Sequence, residues 1–140
     1  MRTIFTDGSA SPNPGPGGFA VIENGKPIAL GAENPSTNIR MEGLALKKAF
    51  EILDGEEAEI LTDSEFWVNV LVKWAPAWEK NGWKKKNGEI KNLDIVKPLF
   101  ELYKNSKVKL KWLKGHAGYE FNEMADEWAN RAREGERLAK

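Results

Sequence analysis

The sequence predicts an α/β fold, a five-stranded mixed sheet flanked by helices in the order βββαβααβα. Two observations lead to this prediction. The beginning of the chain is a succession of short strands that includes a hairpin turn at Asn24-Gly25. The remainder alternates short apolar strands with amphipathic helices. A hairpin followed by alternating strands and helices is typical of a mixed sheet covered by helices.

Three strands come first in the chain. They are short runs rich in apolar residues, at residues 2–7, 18–23 and 28–33. Asn24-Gly25 joins the second strand to the third and favours a tight antiparallel turn. The Pro- and Gly-rich segment SASPNPGPGG predicts a loop between the first two strands, and PSTNIR predicts a polar loop after the third.

Helices and two further strands make up the rest. The spacing of Leu46, Ala49, Phe50 and Leu53 at i, i+3, i+4 and i+7 predicts an amphipathic helix over 41–54. The two strands are predicted at 58–62 and 107–113. Further helices are predicted from Ser64 as cap through Val72, with a restart of the same helical stretch at Pro76, then over about 94–104 and over 121–134.

Composition excludes several classes of site and leads to a single predicted domain over 1–140. The 140 residues are 41% hydrophobic and include no Cys, which excludes disulfides and thiolate metal sites. No apolar run approaches the roughly 18 residues of a membrane span, and the charged N-terminus lacks the pattern of a signal peptide. We therefore expect a cytoplasmic monomer with no membrane association and no obligatory protein partner.

The net charge of zero is a cancellation between two parts of the chain. From Lys73 to His116 there are 12 Lys and 4 acidic residues, a net charge of +8, while the rest has 9 basic and 17 acidic residues, a net of −8. A basic segment of this kind favours a polyanionic partner, which the total alone conceals.

Four acidic residues stand out by position. Asp7 and Asp63 end the first and fourth predicted strands, each after Thr and before a small residue. If those strands are adjacent and parallel, the two acids lie about 5 Å apart at the edge where α/β sheets bind ligands. Glu42 lies on the core side of its helix, and Asp126 borders the apolar stripe of the last helix.

Each of these acids alone has an ordinary structural explanation. An Asp before Gly or Ser often forms a turn or a cap, Glu42 can complement a helix dipole, and Asp126 can be a solvated helix residue. Brought together, however, several carboxylates repel one another unless a cation neutralises them. Hard oxygen ligands without Cys indicate Mg²⁺ or Mn²⁺, and two such ions can clamp the reacting oxygens of a phosphodiester.

The chain resembles the type 1 ribonuclease H (ribonuclease HI) family over nearly its whole length. The segments that carry the resemblance are Phe5-Thr6-Asp7-Gly8-Ser9, Asn13-Pro14-Gly15-Pro16-Gly17-Gly18, Thr37-Asn38, Arg40-Met41-Glu42, Thr62-Asp63-Ser64, Trp74, Trp78, Gly82-Trp83, Lys114-Gly115-His116-Ala117-Gly118, Asn122-Glu123 and Asp126. It implies a ribonuclease H-like fold and endonucleolytic hydrolysis of the RNA strand of RNA–DNA hybrids, leaving 5′-phosphate and 3′-hydroxyl ends.

The resemblance also implies catalytic roles. Asp7, Glu42, Asp63 and Asp126 would hold two Mg²⁺ ions, for which Mn²⁺ can substitute. Asp7 would bridge both ions, with Asp126 at the ion that activates water and Glu42 and Asp63 at the ion that supports the departing 3′ oxygen. His116, the single histidine, would assist proton movement or product release without binding metal.

Contacts with the hybrid follow from the same resemblance. Asn13 and Asn38 would reach the minor groove, and Thr37 would contact a phosphate of the DNA strand. From the sequence alone, an Asn beside Pro-Gly reads as a turn former, and for Asn13 that interpretation is the stronger one. Ile39 and Glu65 depart from the family pattern, and both changes bear on affinity and site preference rather than on the chemistry.

A basic protrusion is expected at about 73–91. Trp74 and Trp78, four residues apart, share a helix face, and the resemblance implies that they and Phe66 shape a channel for the DNA strand. Trp83 is assigned to the core. The lysines that would track phosphates are Lys84, Lys85 and Lys86, although a lysine run is equally typical of a solvated loop.

Other functions are compatible with parts of the pattern. A non-catalytic hybrid-binding module of the same fold is the main alternative, but such a module gains nothing from four acids beside a polyanion. A subdomain of a reverse transcriptase and a small-molecule phosphohydrolase are the others, and the Trp- and Lys-rich segment has no purpose in a phosphohydrolase.

Overall fold

The computed structural model describes residues 1–85, 88–114 and 120–138, with side chains omitted at 120–122. Five strands form one sheet in the order β3-β2-β1-β4-β5. The strands are β1 (Arg2–Ala10), β2 (Gly15–Glu23), β3 (Lys26–Ser36), β4 (Ala58–Thr62) and β5 (Val108–Trp112). The helices are α1 (Asn38–Leu53), α2 (Glu65–Asn69), α3 (Ala75–Lys80), α4 (Leu93–Lys104) and α5 (Glu120–Arg133), with a π-helical turn (Val70–Trp74) between α2 and α3.

The direction of the strands decides where chemistry can occur. The central strand β1 pairs antiparallel with β2 and parallel with β4, and β4 pairs parallel with β5. The carboxyl ends of β1, β4 and β5 therefore meet at the same edge of the sheet. Thr6 is opposite Thr62 in the register, so Asp7, which continues β1, lies beside Asp63, the first residue after β4.

Helices cover both faces, and alternate strand residues are buried on opposite sides. Ile4 and Ile60 lie in the larger cluster, packed with Leu46 of α1 and Leu99 of α4. Phe5 and its neighbours on the other face pack against Ala125 and Ala129 of α5. The apolar stripes predicted for α1 and α5 thus face the sheet.

The fold class and the five strands are confirmed, but two predicted loops are shorter than expected. The pairing of Ala10 with Gly17 continues β1 and β2 into the Pro- and Gly-rich segment, and Ser11 N–H donates to Pro16 O at 3.0 Å. The polar loop predicted at PSTNIR is wrong, because β3 runs to Ser36 and α1 begins at Asn38. Thr37 alone joins them.

The segment from α2 to α3 is one helical stretch, although its sequence predicts an interruption at Pro76. In the π-helical turn, Ala75 N–H donates to Val70 O, five residues earlier rather than four. A proline ring normally clashes with the carbonyl one turn before it, and a wider turn relieves that clash. Pro76 then lies in the first turn of α3, as predicted.

No helix in the described ranges is long and apolar enough to cross a membrane.

Candidate functional site

Three carboxylates meet at the carboxyl edge of the sheet. Asp7 in β1, Asp63 just after β4 and Glu42 in α1 each offer an oxygen, and the three oxygens lie within 4.8 Å of one another. Asp7 is buried, and the other two are half-buried. The expectation that Asp7 and Asp63 would be neighbours is therefore met, although Asp7 lies within β1 rather than at its end. We call the three residues the carboxylate cluster.

A glycine allows α1 to come this close to β1. A Cβ on Gly8 would lie 2.5 Å from the backbone nitrogen of Glu42, which is closer than atoms of a folded protein approach. Gly8 also donates its N–H to Asp7 Oδ1 at 2.9 Å, so one residue orients Asp7 and admits the helix that carries Glu42.

The electrostatics of the cluster are unfavourable without a cation. Burial, followed by the charges of Asp63 and Asp126, raises the pKa of Asp7 to about 9, against the opposing effect of the Gly8 N–H. Burial also raises the pKa of Glu42 to about 7, with a smaller contribution from Asp63, while a hydrogen bond from Ser64 lowers it. Burial beside other carboxylates, the cause of both pKa shifts, is typical of acids that bind a cation.

Asp126 belongs to this region but not to the tight cluster. Asp7 has the same strand parity as Phe5 and therefore faces α5, the helix that carries Asp126. The charge of Asp126 raises the pKa of Asp7, so the two carboxylates interact electrostatically.

The donor set suits a hard divalent cation. The cluster offers carboxylate oxygens and, within the ranges that the structure describes, no nitrogen or sulfur ligand joins it. Oxygen-only sites favour Mg²⁺ or Mn²⁺ over zinc. The residues present therefore fit such an ion.

Two polar side chains support the cluster, and the sequence did not indicate their roles. Ser64 was predicted only as a helix cap, which it is, since it accepts a hydrogen bond from Trp67 N–H at 3.3 Å. Its hydroxyl also bonds to Glu42. The indole of Trp112 donates to the backbone oxygen of Asp63 at 3.2 Å. Adjacency to Asp63 is the one signal that could have identified Ser64, and no local signal identifies Trp112.

The start of α1 brings the two predicted asparagines together. Asn38 N–H donates to Asn13 Oδ1 at 3.2 Å, and Ala10 N–H donates to Asn38 Oδ1 at 2.7 Å. Thr37 caps the helix by accepting from Arg40 N–H at 3.1 Å. Both asparagines are exposed, and their carbonyl oxygens are occupied, so their NH₂ groups are the donors available to a ligand.

Two anchors fix this turn of α1. Arg40 donates to Glu33 at 2.6 Å and, with both terminal nitrogens, to Asp94 at 2.7 and 3.0 Å. It thereby connects β3, α1 and α4. The indole of Trp67, which is fully buried, donates to Ile39 O at 2.6 Å. The side chain of Ile39 is partly buried and packs against the core instead of pointing into solvent.

Aromatic and basic side chains form a groove beside α2 and α3. Phe66 lies 5.8 Å from Trp74, and Trp74 lies 6.2 Å from Trp78, measured between ring centroids. The groove encloses about 470 Å³, and its basic lining residues are Lys73, Lys85 and Lys91. Trp74 is 39% exposed, although Trp side chains are highly buried on average. We call this feature the aromatic groove.

The remaining predicted residues fall in different environments. Trp83 is half-buried and lies 6.0 Å from Phe100, which agrees with its assignment to the core. Lys84 and Glu65 are exposed. His116 and Lys86 lie outside the residues that the structure describes.

Comparison with known proteins agrees with the geometry. The family model described as RNase H matches residues 1–134. Among similar proteins, "Ribonuclease H" of Rhizobium etli is 43% identical over 136 residues, covering 94% of this chain and 90% of that protein. "Ribonuclease H" of Syntrophomonas wolfei is 39% identical over 137 residues, covering 92% and 93%.

Solved structures share the fold. A type 1 RNase H with the type 2 active-site motif superimposes with a TM-score of 0.82 at 26% identity, over 96% of this chain and 72% of that one. A foamy viral protease-reverse transcriptase in complex with RNA/DNA hybrid gives 0.78 at 16% identity, over 94% of this chain and 20% of that one, and shows the fold alone. The family match, the relatives and the fold lead to one conclusion, that this chain belongs to the RNase H family.

Proposed function

We propose that this protein cuts the RNA strand of RNA–DNA hybrids internally and leaves 5′-phosphate and 3′-hydroxyl ends. One observation carries the proposal, namely the carboxylate cluster in a chain of the RNase H family. Buried acids with raised pKa values are costly to maintain, and they cluster where a function requires them.

Asp7, Glu42, Asp63 and Asp126 are the proposed holders of two Mg²⁺ ions, for which Mn²⁺ substitutes. When bound, such ions supply the positive charge that activates water and stabilises the departing 3′ oxygen. The protein's own contribution is orientation, because Gly8 and Ser64 each hold a carboxylate through a hydrogen bond. His116 is proposed to assist proton movement or product release.

Recognition of the hybrid is proposed to divide between two surfaces. The exposed NH₂ groups of Asn13 and Asn38 are suited to the minor groove, where 2′-hydroxyls and base acceptors distinguish RNA from DNA. Thr37, at the exposed start of α1, is proposed to contact a phosphate of the DNA strand, because backbone N–H groups at a helix N-terminus attract anions.

The aromatic groove is the proposed channel for the DNA strand. The faces of Phe66, Trp74 and Trp78 can pack against deoxyribose, and the lysines around them offset the charge of the phosphates. Lys84, Lys85 and Lys86 are proposed to extend this basic surface. The single domain, the monomeric state and the cytoplasmic location stay predictions from the sequence.

Cleavage assays test the proposal directly. End-labelled hybrid, double-stranded RNA, single-stranded RNA and double-stranded DNA are incubated side by side with Mg²⁺, with Mn²⁺ and with EDTA. We expect internal cuts in the RNA of the hybrid alone, and none in EDTA. Absence of hybrid cleavage with both metals would contradict the enzymatic function and favour a binding module.

Two variants separate chemistry from binding. Asp7→Asn should abolish cleavage while hybrid binding is largely retained, and full activity would contradict the metal assignment. Replacing Lys84, Lys85 and Lys86 together by Ala should raise KM. It should also lower the slope of log KM against log salt concentration by about 1 for each phosphate contact that is lost. An unchanged salt dependence would mean that these lysines are only solvated.

A further inference from the structure

Part of the positive charge of the chain lies outside the aromatic groove. Between residues 104 and 114 there are five lysines and no acidic residue, and four of the five belong to β5 or its flanks. None of these four lines the aromatic groove. Their placement on the fold indicates a separate function.

Three of these lysines form a row along the sheet edge. Val108 and Leu110 pack against the core shared with α1 and α4, so the residues between them project from the opposite face of β5. Lys107, Lys109 and Lys111 are all exposed. Alternate residues of a parallel strand are about 6.6 Å apart, comparable with successive phosphates of an extended nucleic-acid strand. We call these three residues the β5 lysine row.

Little negative charge balances this row. Glu59 of the neighbouring strand pairs with Lys111 at 2.7 Å, and it is directly opposite Lys109 in the register. Within the described part of the chain, Lys107 and Lys109 form no ion pair. The row therefore retains a net positive charge.

The row leads to the carboxylate cluster. β5 runs parallel to β4, so both strands end at the same edge, and Asp63 follows β4 there. Trp112, the last residue of β5, touches Asp63 through its indole N–H. Lys114 continues the positive charge beyond the strand and is exposed. A strand bound at the cluster can thus continue onto the row.

We propose that the β5 lysine row binds the phosphates of single-stranded RNA that continues from the hybrid being cut. This inference rests on the proposed function, because the strand held at Asp63 is then the RNA strand. It assigns to the protein a preference for hybrids with an RNA overhang. Lysines on an edge strand also oppose sheet-to-sheet association, and that role alone is the alternative that the experiment excludes.

Binding measurements in EDTA test the row without cleavage. Fluorescence anisotropy compares a blunt hybrid with hybrids that carry a short single-stranded extension of the RNA at either end, or of the DNA. We expect one RNA extension to tighten binding by about tenfold at low salt and to steepen the salt dependence, since each single-strand phosphate contact adds a slope of about 0.7. Equal gain from a DNA extension would overturn the assignment to the RNA strand.

Charge variants identify the residues responsible. Lys107→Gln/Lys109→Gln/Lys111→Gln should remove the gain from the extension and reduce the salt slope by about 2, with binding of the blunt hybrid unchanged. The matched control Lys26→Gln/Lys47→Gln/Lys48→Gln removes the same charge from β3 and α1 and should keep the gain.

Glu59→Gln gives the opposite test. It removes the acidic side chain that pairs with Lys111, so the overhang hybrid should bind several-fold more tightly. If neither Glu59→Gln nor the triple Lys→Gln variant changes binding of the overhang hybrid, the proposal is overturned. Dimerisation of the triple variant on gel filtration would then show that the lysines prevent association between sheet edges. Cleavage of the blunt hybrid with Mg²⁺ tests the proposed function separately, so the two failures are distinguishable.

Discussion

Replacing Asp7 with Asn should stabilise the metal-free protein even though it removes a proposed metal ligand. Asp7 is 5% exposed, and its burial, followed by the charges of the neighbouring acids Asp63, Asp126 and Glu42, raises its pKa from 3.8 to about 9. In the unfolded chain it ionises near its ordinary value. Folding without metal therefore requires this group to take up a proton or to bury a charge.

The size of the effect follows from the pKa. At pH 7 a group that ionises at 3.8 when unfolded and near 9 when folded destabilises the folded state by about 4 kcal/mol, at roughly 1.4 kcal/mol per pH unit. Asn has a similar shape and no charge, so the variant avoids this cost. Part of the gain is lost because the Gly8 N–H bonds more weakly to an amide than to a carboxylate. We expect a net stabilisation of about 2 to 4 kcal/mol.

The sign of the pH dependence is fixed. Below pH 3.8 the carboxyl is protonated in both states, so the variant has no electrostatic advantage. As pH rises towards 9 the unfolded wild type loses its proton while the folded one keeps it, and the wild type is progressively destabilised. The advantage of Asp7→Asn should therefore grow with pH across that interval.

Urea denaturation in EDTA at several pH values between 4.5 and 8 measures the difference. Mg²⁺ should reverse it, because the ion stabilises the wild type and has one ligand fewer in the variant. Asp54→Asn, at an exposed position, is the matched control and should show no comparable trend. A difference that is absent, or that shrinks as pH rises, would refute the account of the cluster.

Three further substitutions test how the site is held. Gly8→Ala places a methyl group against the main chain of α1, so it should cost about 3 kcal/mol in denaturant unfolding and abolish cleavage; a stable, active variant would contradict the close approach. In Arg40→Lys the side chain cannot keep both hydrogen bonds to Asp94, so the free energy of unfolding should fall by about 1 to 2 kcal/mol. An unchanged free energy of unfolding would mean that the Arg40–Asp94 pair is only a surface contact. Ser64→Ala should lose about 1 kcal/mol as a cap and raise the Mg²⁺ concentration for half-maximal activity several-fold, whereas Ser64→Thr restores both.

Patterns within one element were sufficient to predict much of the fold. The i, i+3, i+4, i+7 spacing around Leu46 predicts which face of α1 is buried, because helix periodicity is a local property. Asp7 and Asp63 could be recognised for a similar reason, since each follows a short apolar run in the sequence, although β1 itself continues beyond Asp7 to Ala10. What brought them together, the parallel pairing of β1 with β4, is a property of the sheet.

Contacts between distant segments could not be predicted in the same way. Trp112 lies 49 residues from Asp63, and nothing near either residue specifies their hydrogen bond. The pairing of Lys111 with Glu59 likewise depends on the register of β4 with β5. The loop predicted at PSTNIR failed for a different reason, because polar residues that cap a helix resemble those of a turn.

The π-helical turn between α2 and α3 carries one residue more than an α-helix of the same rise. Eight positions separate Phe66 from Trp74, which in a regular α-helix leaves them about 80° apart around the axis. Each residue of the wider π-helical turn rotates less around the helix axis, which brings the two side chains closer to the same face. The ring centroids of Phe66 and Trp74 are 5.8 Å apart. Val72, which is 51% exposed although apolar, lies within this turn. The aromatic groove thus depends on the length of this segment as well as on its side chains, and a related chain one residue shorter here could align the same rings on an ordinary helix.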